Sequence, residues 1–196
     1  MRCFVAVDLP PGTRDAIATA QATLRTAGPR ADVGWVDPTK LHLTLKFLGE
    51  VADDGLVALR SALATVARRH APFAVVAGGM GVFPGRARPR VLSAGLMGGL
   101  REIGLLAVDV ERACVPLGFP PDARPFRGHV TIGRVRSPRS LGRVLGAMDD
   151  LAERSFGSWT VDEAILYRSH LRGSAGSLYE PLARLALGDD SGGARP

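Results

Sequence analysis

Leu41-His42-Leu43-Thr44-Leu45-Lys46-Phe47-Leu48 and Gly128-His129-Val130-Thr131-Ile132-Gly133-Arg134-Val135 are two stretches of similar wording. Each places His-x-Thr in a run where apolar and polar residues alternate, the two-residue period of a half-buried β-strand. In the first, Leu41, Leu43, Leu45 and Phe47 share one face, and His42, Thr44 and Lys46 share the other. In the second, Val130 and Ile132 face one way, and His129 and Thr131 the other. The apolar faces require a core. Each polar face presents an imidazole and a hydroxyl about 6–7 Å apart along the strand. The chain has only four histidines, and two of them head this tripeptide. The bland alternative is a pair of exposed strands with nothing packed on their polar faces; the repetition argues for a shared task.

Outward from these strands, the sequence predicts a mixture of strands and helices. Residues 2–8 alternate and read as a strand. Pro10-Pro11-Gly12-Thr13 breaks it and starts an Ala-rich helix to about residue 27, ended by Gly28-Pro29. Trp35 to Pro38 is a short extended piece. A second helix is expected over about 53–70, with Leu56, Leu59, Leu63 and Val66 on one stripe. Phe73 begins a strand, Gly78 to Arg90 reads as a loop, and Val91 to Leu96 as a strand. Helices are expected over 98–117 and about 138–153, an extended region over 158–169, and a last strand over 178–187. Residues 188–196 are polar and Gly-rich and are expected to form a flexible tail. The order shows neither strict strand–helix alternation nor a Gly-rich nucleotide turn, so the expected class is α+β with largely antiparallel sheets.

Composition narrows the function. The chain has 196 residues, 46% of them hydrophobic and 22% charged, enough apolar material for a real core. Its two cysteines, Cys3 and Cys114, are too few for a disulfide framework, and no Cys/His cluster has zinc spacing. The short apolar opening, broken by Asp8 and two prolines, resembles neither a signal peptide nor a membrane span. A cytoplasmic protein without membrane association is expected, and a monomer is favoured. The net charge is +6, and Lys40 and Lys46 are the only lysines among 25 basic residues. The arginine excess fits a phosphate-binding surface, and equally a compositional bias.

Two histidines and two hydroxyls on polar strand faces suit one reaction class. Phosphodiester cleavage without a metal needs one group to deprotonate the attacking oxygen and another to protonate the departing one. Imidazole titrates near neutrality, so a neutral and a protonated histidine coexist at working pH. Thr44 and Thr131 would hydrogen-bond the non-bridging phosphate oxygens. Arg134 would add charge if it reached the site, but alternation puts it opposite His129, so a bulge is needed and Gly133 supplies a place for one. Phe4 suits base stacking or plain packing, and Lys46 is a further candidate substrate contact. Arg86, Arg88 and Arg90 crowd one loop and suit either a backbone track or solvent. His70 and His170 are expected in structural or surface roles, and both cysteines in the core.

These residues resemble the 2H phosphoesterase superfamily, specifically the RNA 2′,3′-cyclic phosphodiesterases also called 2′-5′ RNA ligases. Arg2 to Val7 is similar to that family's opening strand, Trp35 to Glu50 to its first motif, and Phe126 to Arg134 to its second. Phe83-Pro84 with Arg88 to Leu92 resembles the middle region, and Tyr167 to Leu171 with Gly176 to Glu180 the carboxy-terminal hairpin. The resemblance spans residues 1–187 as one domain of two intertwined, pseudo-symmetric lobes. It implies two mainly antiparallel sheets flanked by helices, with a groove between the lobes.

It further implies RNA ending in a 2′,3′-cyclic phosphate as substrate, opened to a 2′-phosphomonoester without cofactor or metal. His42 would be the proton donor, His129 the proton acceptor, and Thr44 and Thr131 the phosphate ligands. Ligation to a 2′-5′ linkage would be a side activity. The motifs alone do not orient the two histidines. A non-catalytic RNA-binding module, or a phosphodiesterase of small cyclic nucleotides, are the competing functions. Gly128 departs from the family's usual proline, which predicts a looser approach to His129.

Overall fold

A computed structural model describes residues 1–171 and 177–188. In chain order the elements are β1 (Arg2–Asp8), α1 (Pro11–Ala27), β2 (Val33–Trp35), β3 (His42–Glu50), α2 (Leu56–Arg68), β4 (Phe73–Phe83) and β5 (Val91–Gly98). There follow α3 (Leu100–Cys114), β6 (Val130–Val135), α4 (Gly142–Asp149), β7 (Ser155–Val161), β8 (Glu163–Leu171) and β9 (Ser177–Ala186). The α+β class follows directly. Residues 189–196 of the expected tail, and 172–176 of the expected hairpin, lie outside the described residues.

The strands run β7-β4-β5-β6-β3-β1-β8-β9, with β2 also on β6, and every pairing is antiparallel. Two four-stranded halves are visible in that order. They meet at one bridge, Leu43 opposite Val130, so the two expected sheets join into one ladder between the two His-x-Thr segments. Helices α1 and α4 pack together on the half containing β4 and β7, while α2 and α3 pack together on the half containing β3, β8 and β9. Because α1 follows β1 yet covers the other half, and α3 follows β5 yet does the same in reverse, the lobes interlock.

The helices bury stripes that the sequence periodicity marks. Ile17, Ala20, Gln21 and Leu24 of α1, and Leu59, Leu63, Val66 and Ala67 of α2, are buried. Gln21 aside, they belong with Leu43, Val75, Leu106, Val130 and Ile132 to one continuous core. A second, smaller cluster lies elsewhere on β1 and β8, where Phe4, Ala6, Ile165 and Tyr167 pack with Tyr179. Thus β1 is buried on both faces. Its odd residues enter the main core and Phe4 and Ala6 the aromatic cluster.

Three elements differ from expectation. The expected loop after residue 78 is strand as far as Phe83, because its backbone pairs with β5 from Met80–Ala94 to Phe83–Val91. A register shift between Ala77 and Met80 hides this from any alternation count, and Gly79 supplies the positive φ of 70° that the irregularity uses. The helix expected over 138–153 shortens to Gly142–Asp149. The extended region over 158–169 is really two strands on opposite sides of the molecule, β7 on β4 and β8 on β1, divided at Asp162. Among the described residues no helix is long and apolar enough to cross a membrane.

Candidate active site

The single bridge between Leu43 and Val130 decides where the site lies. Both residues are fully buried, so their side chains take the core face. Continuing the antiparallel register one residue each way sets Thr44 across from His129 and Thr131 across from His42. All four polar side chains therefore share the opposite face. Segments 87 residues apart in sequence are brought side by side.

Each imidazole is held in the same way. The Nδ1 of His42 lies 2.7 Å from the carbonyl oxygen of Lys40, and the Nδ1 of His129 lies 2.7 Å from that of Arg127. A carbonyl only accepts, so Nδ1–H donates in both rings and Nε2 is left for chemistry. Each acceptor is the residue two before its histidine, a second instance of the internal repeat.

The surroundings of the two rings differ. His42 packs against Phe4, with centroids 4.9 Å apart, and meets Tyr179 edge-on at 5.3 Å. Tyr167 stacks on Phe4 at 5.3 Å, and such aromatic pairs each contribute about 0.5–1.5 kcal/mol beyond burial. Burial in this cluster pushes the His42 pKa below the ordinary imidazole value of 6.5. The Lys40 carbonyl and Asp8 oppose that shift, while the charges of Arg134 and His129 reinforce it. Asp8 lies opposite His42 in the ladder and accepts the Tyr167 hydroxyl at 2.9 Å on both carboxylate oxygens. Burial, then this contact with Asp8, raises the Tyr167 pKa; burial likewise raises that of Tyr179.

A bulge brings Arg134 to the site. The β5–β6 register steps from Leu92–Gly133 to Ser93–Thr131, leaving Ile132 unpaired with β5. Faces after a bulge are reversed, so Arg134 joins Thr131 and His129 on one side, as the sequence required of it. The Ile132 carbonyl is pinned from elsewhere. It accepts the Val36 N–H at 3.0 Å and the Gln21 side-chain amide at 2.8 Å, and that amide also reaches the Val36 carbonyl at 2.7 Å. Gln21 is 2% exposed, a buried polar residue whose purpose is visible only in three dimensions.

The first motif has the corresponding bulge. The β1–β3 register steps from Val5–Lys46 to Ala6–Thr44, passing over Leu45. This overturns two expectations. Lys46, expected beside His42 and Thr44, turns to the core face, is 1% exposed, and lies 2.7 Å from Glu111 of α3. It is not a substrate contact. Phe47, expected in the core, is 63% exposed and lines a depression of about 550 Å³ with His129, Thr131 and Arg134. Phe47 follows His42 by five residues, as Arg134 follows His129. One lobe thus offers an aromatic face where the other offers a cation.

Phe4 resolves toward packing. It is 3% exposed and backs His42, leaving no open face for a base. Phe83 was given no role by sequence, yet its ring lies 4.7 Å from that of His129. At Gly128 a Cβ would come within 2.7 Å of Leu96 Cδ1, the end of a flexible side chain. His70 bonds Asp109 at 3.0 Å across α2 and α3, His170 bonds Glu180 at 2.6 Å on the β8–β9 surface, and both cysteines are buried. Among the described residues no three of His, Cys, Asp or Glu gather in an arrangement that could hold a metal ion.

Comparison with known proteins agrees with this fold. A family model described as LigT like phosphoesterase matches residues 7–93 and 99–176. The RNA 2′,3′-cyclic phosphodiesterase of Methanothermobacter thermautotrophicus is 35% identical over 179 residues, covering 91% of this chain and 95% of its own. That of Archaeoglobus fulgidus is 33% identical, covering 93% and 98%. Among solved structures, TT0787 of Thermus thermophilus superposes with a TM-score of 0.79 at 31% identity, covering 97% of this chain and all of that one. E. coli LigT complexed with 3′-AMP superposes at 0.72 and 28% identity, covering 95% and 97%. With its paired His-x-Thr strands and interlocked lobes, the chain belongs to the LigT-like phosphoesterase family.

Proposed function

We propose that the protein hydrolyses RNA 2′,3′-cyclic phosphate ends to 2′-phosphomonoesters by two-histidine acid/base chemistry that needs no metal. One observation carries this: both imidazoles donate Nδ1–H to a backbone carbonyl and keep Nε2 for the face they share. Relatives named RNA 2′,3′-cyclic phosphodiesterase, and a relative solved with 3′-AMP, support the substrate class.

In the reaction, neutral His129 takes a proton from water through Nε2 as the water oxygen bonds to phosphorus. The bond from phosphorus to O3′ breaks, and protonated His42 gives its Nε2 proton to O3′. The product is a 2′-phosphomonoester with a free 3′-hydroxyl. His129 ends protonated and His42 neutral, and exchange with solvent resets both. Thr44 and Thr131 donate to the non-bridging oxygens, and Arg134 stabilises the charge that builds on them. Burial of His42 favours its neutral form in the free protein. A bound phosphate anion reverses that preference, because an adjacent negative charge favours imidazolium. Phe47 offers its exposed ring to the terminal base. A 5′-hydroxyl in place of water would give 2′-5′ ligation at the same centre.

The test is turnover of a nucleoside 2′,3′-cyclic phosphate with and without chelator. His42→Ala and His129→Ala should each lower kcat about 10²–10⁴-fold, and chelator should change nothing. Full activity in either variant, or loss of activity with chelator, rejects the mechanism. Tight RNA binding without product, unaltered in the double variant, would leave a binding module instead.

A further inference from the structure

The depression beside His129 does not end at Arg134. A second one, of about 670 Å³, shares Val91 and Arg134 with it and continues past Arg88, Arg90 and Arg136. No Asp or Glu lines either depression, whereas six arginines do: Arg124, Arg127 and Arg134 in the first, and Arg88, Arg90 and Arg136 beyond. None of the six has a carboxylate within 4.0 Å among the described residues. Arg86, on the same loop, behaves differently and pairs with Asp149. The outer three are thus uncompensated positive charges on a concave wall, a poor arrangement unless an anion lies along it.

That wall is anchored rather than loose. The Arg90 N–H bonds the Phe83 carbonyl at 2.8 Å, and the Val135 N–H bonds the Arg90 carbonyl at 2.9 Å. The Arg136 N–H bonds the Asp32 carbonyl at 2.9 Å. Its guanidinium passes over Gly34, where a side-chain carbon would come within 3.2 Å of Nη2. Along the extended chain Arg134 and Arg136 are about 6–7 Å apart, which sets a second cation one step beyond the first.

We infer that this trough is the track of the RNA strand upstream of the reacting end, with Arg88, Arg90 and Arg136 holding the phosphodiester next to the terminal nucleotide. The inference rests on reading the histidine site as a cyclic phosphodiesterase. Its consequence is a preference for polynucleotide ends over mononucleotides, carried by charge and independent of base sequence.

The test compares wild type with a variant carrying Arg88→Gln, Arg90→Gln and Arg136→Gln. All three are exposed, so the fold should tolerate the changes. A control loses the same charge elsewhere, through Arg68→Gln, Arg69→Gln and Arg101→Gln. The substrates are a nucleoside 2′,3′-cyclic phosphate and a short oligoribonucleotide with a cyclic phosphate end. For the trough variant, KM for the oligonucleotide should rise by about 10-fold or more, with mononucleotide kcat/KM within about twofold of wild type.

A second arm measures binding of a fluorescent oligoribonucleotide ending in a 2′-phosphate, by anisotropy across a salt series. The slope of log K against log salt should shallow by about 0.7 in the trough variant, the share of the one phosphate it no longer neutralises. Equal loss for both substrates, equal loss in the control, or an unchanged slope overturns the track. If wild type fails to turn over the mononucleotide, the histidine reading fails while the binding arm still decides the track.

Discussion

The charge buried behind the site should be more costly to strand than to remove. Lys46 Nζ lies 2.7 Å from Glu111 Oε2, 3.1 Å from the Pro120 carbonyl and 4.0 Å from Asp122. Glu111 Oε1 in turn accepts the Asp122 N–H at 2.6 Å. The cluster therefore ties β3 to α3 and to the segment that continues through Arg124 and Arg127 to His129. Its partners are unequal: Lys46 is 1% exposed and Glu111 24%. Lys46→Met keeps the stem and leaves Glu111 with some solvent and its bond to Asp122, so the loss should be about 1.5–3 kcal/mol, the worth of one charged hydrogen bond.

Glu111→Leu leaves an ammonium shut away from water with one carbonyl and a distant carboxylate. That loss should be about 3–5 kcal/mol. The double variant removes the stranded charge and should recover about 2 kcal/mol relative to the sum of the two. Urea unfolding followed by circular dichroism reads all three. At about 1–3 kcal/mol per molar urea, Glu111→Leu should move the midpoint by more than about 1 M. Equal losses in the two single variants, or strict additivity in the double, would refute the picture of a stranded cation.

Two further outcomes follow from the site. As proton donor, His42 acts only below its pKa, which burial holds under 6.5 in the free protein. The alkaline limb of kcat/KM should therefore fall below pH 6.5, and that of kcat should lie higher, because bound anion raises the pKa. Coincident limbs, or a kcat/KM limb above 6.5, contradict His42 as donor. Gln21→Leu should cost about 1–3 kcal/mol by leaving buried carbonyls short of a donor, and should lower kcat about tenfold as Arg134 loses its bulge. A stability loss in thermal melts with unchanged kcat would show that Gln21 does not position Arg134.

Much of this was legible in sequence because it depends on local pattern. The paired His-x-Thr strands, the α1 and α2 stripes and the buried cysteines all follow from short-range periodicity. Strict alternation failed where bulges intervene. At Leu45 one extra residue exchanges the fates of Lys46 and Phe47, and nothing in Leu-Lys-Phe-Leu announces it. The bulge at Ile132 was foreseen only as a need of Arg134, with Gly133 as its mark. Gln21 went unnoticed, and Tyr179 and Phe83 were given no role, because their partners are remote in sequence: Gln21 meets the Ile132 carbonyl 111 residues away. A five-residue step from each histidine was the signal available for Phe47. It becomes meaningful only once both strands are known to bulge at the same place.

The central claim is that the Nε2 atoms of His42 and His129 face one phosphate. Nitrogen-15 NMR of the imidazoles, titrated with a nucleoside 2′-monophosphate, tests it most directly. The resonances of His42 and His129 should shift together, with one dissociation constant, while those of His70 and His170 stay in place. Movement of only one of the pair, or of the two with different affinities, would contradict it.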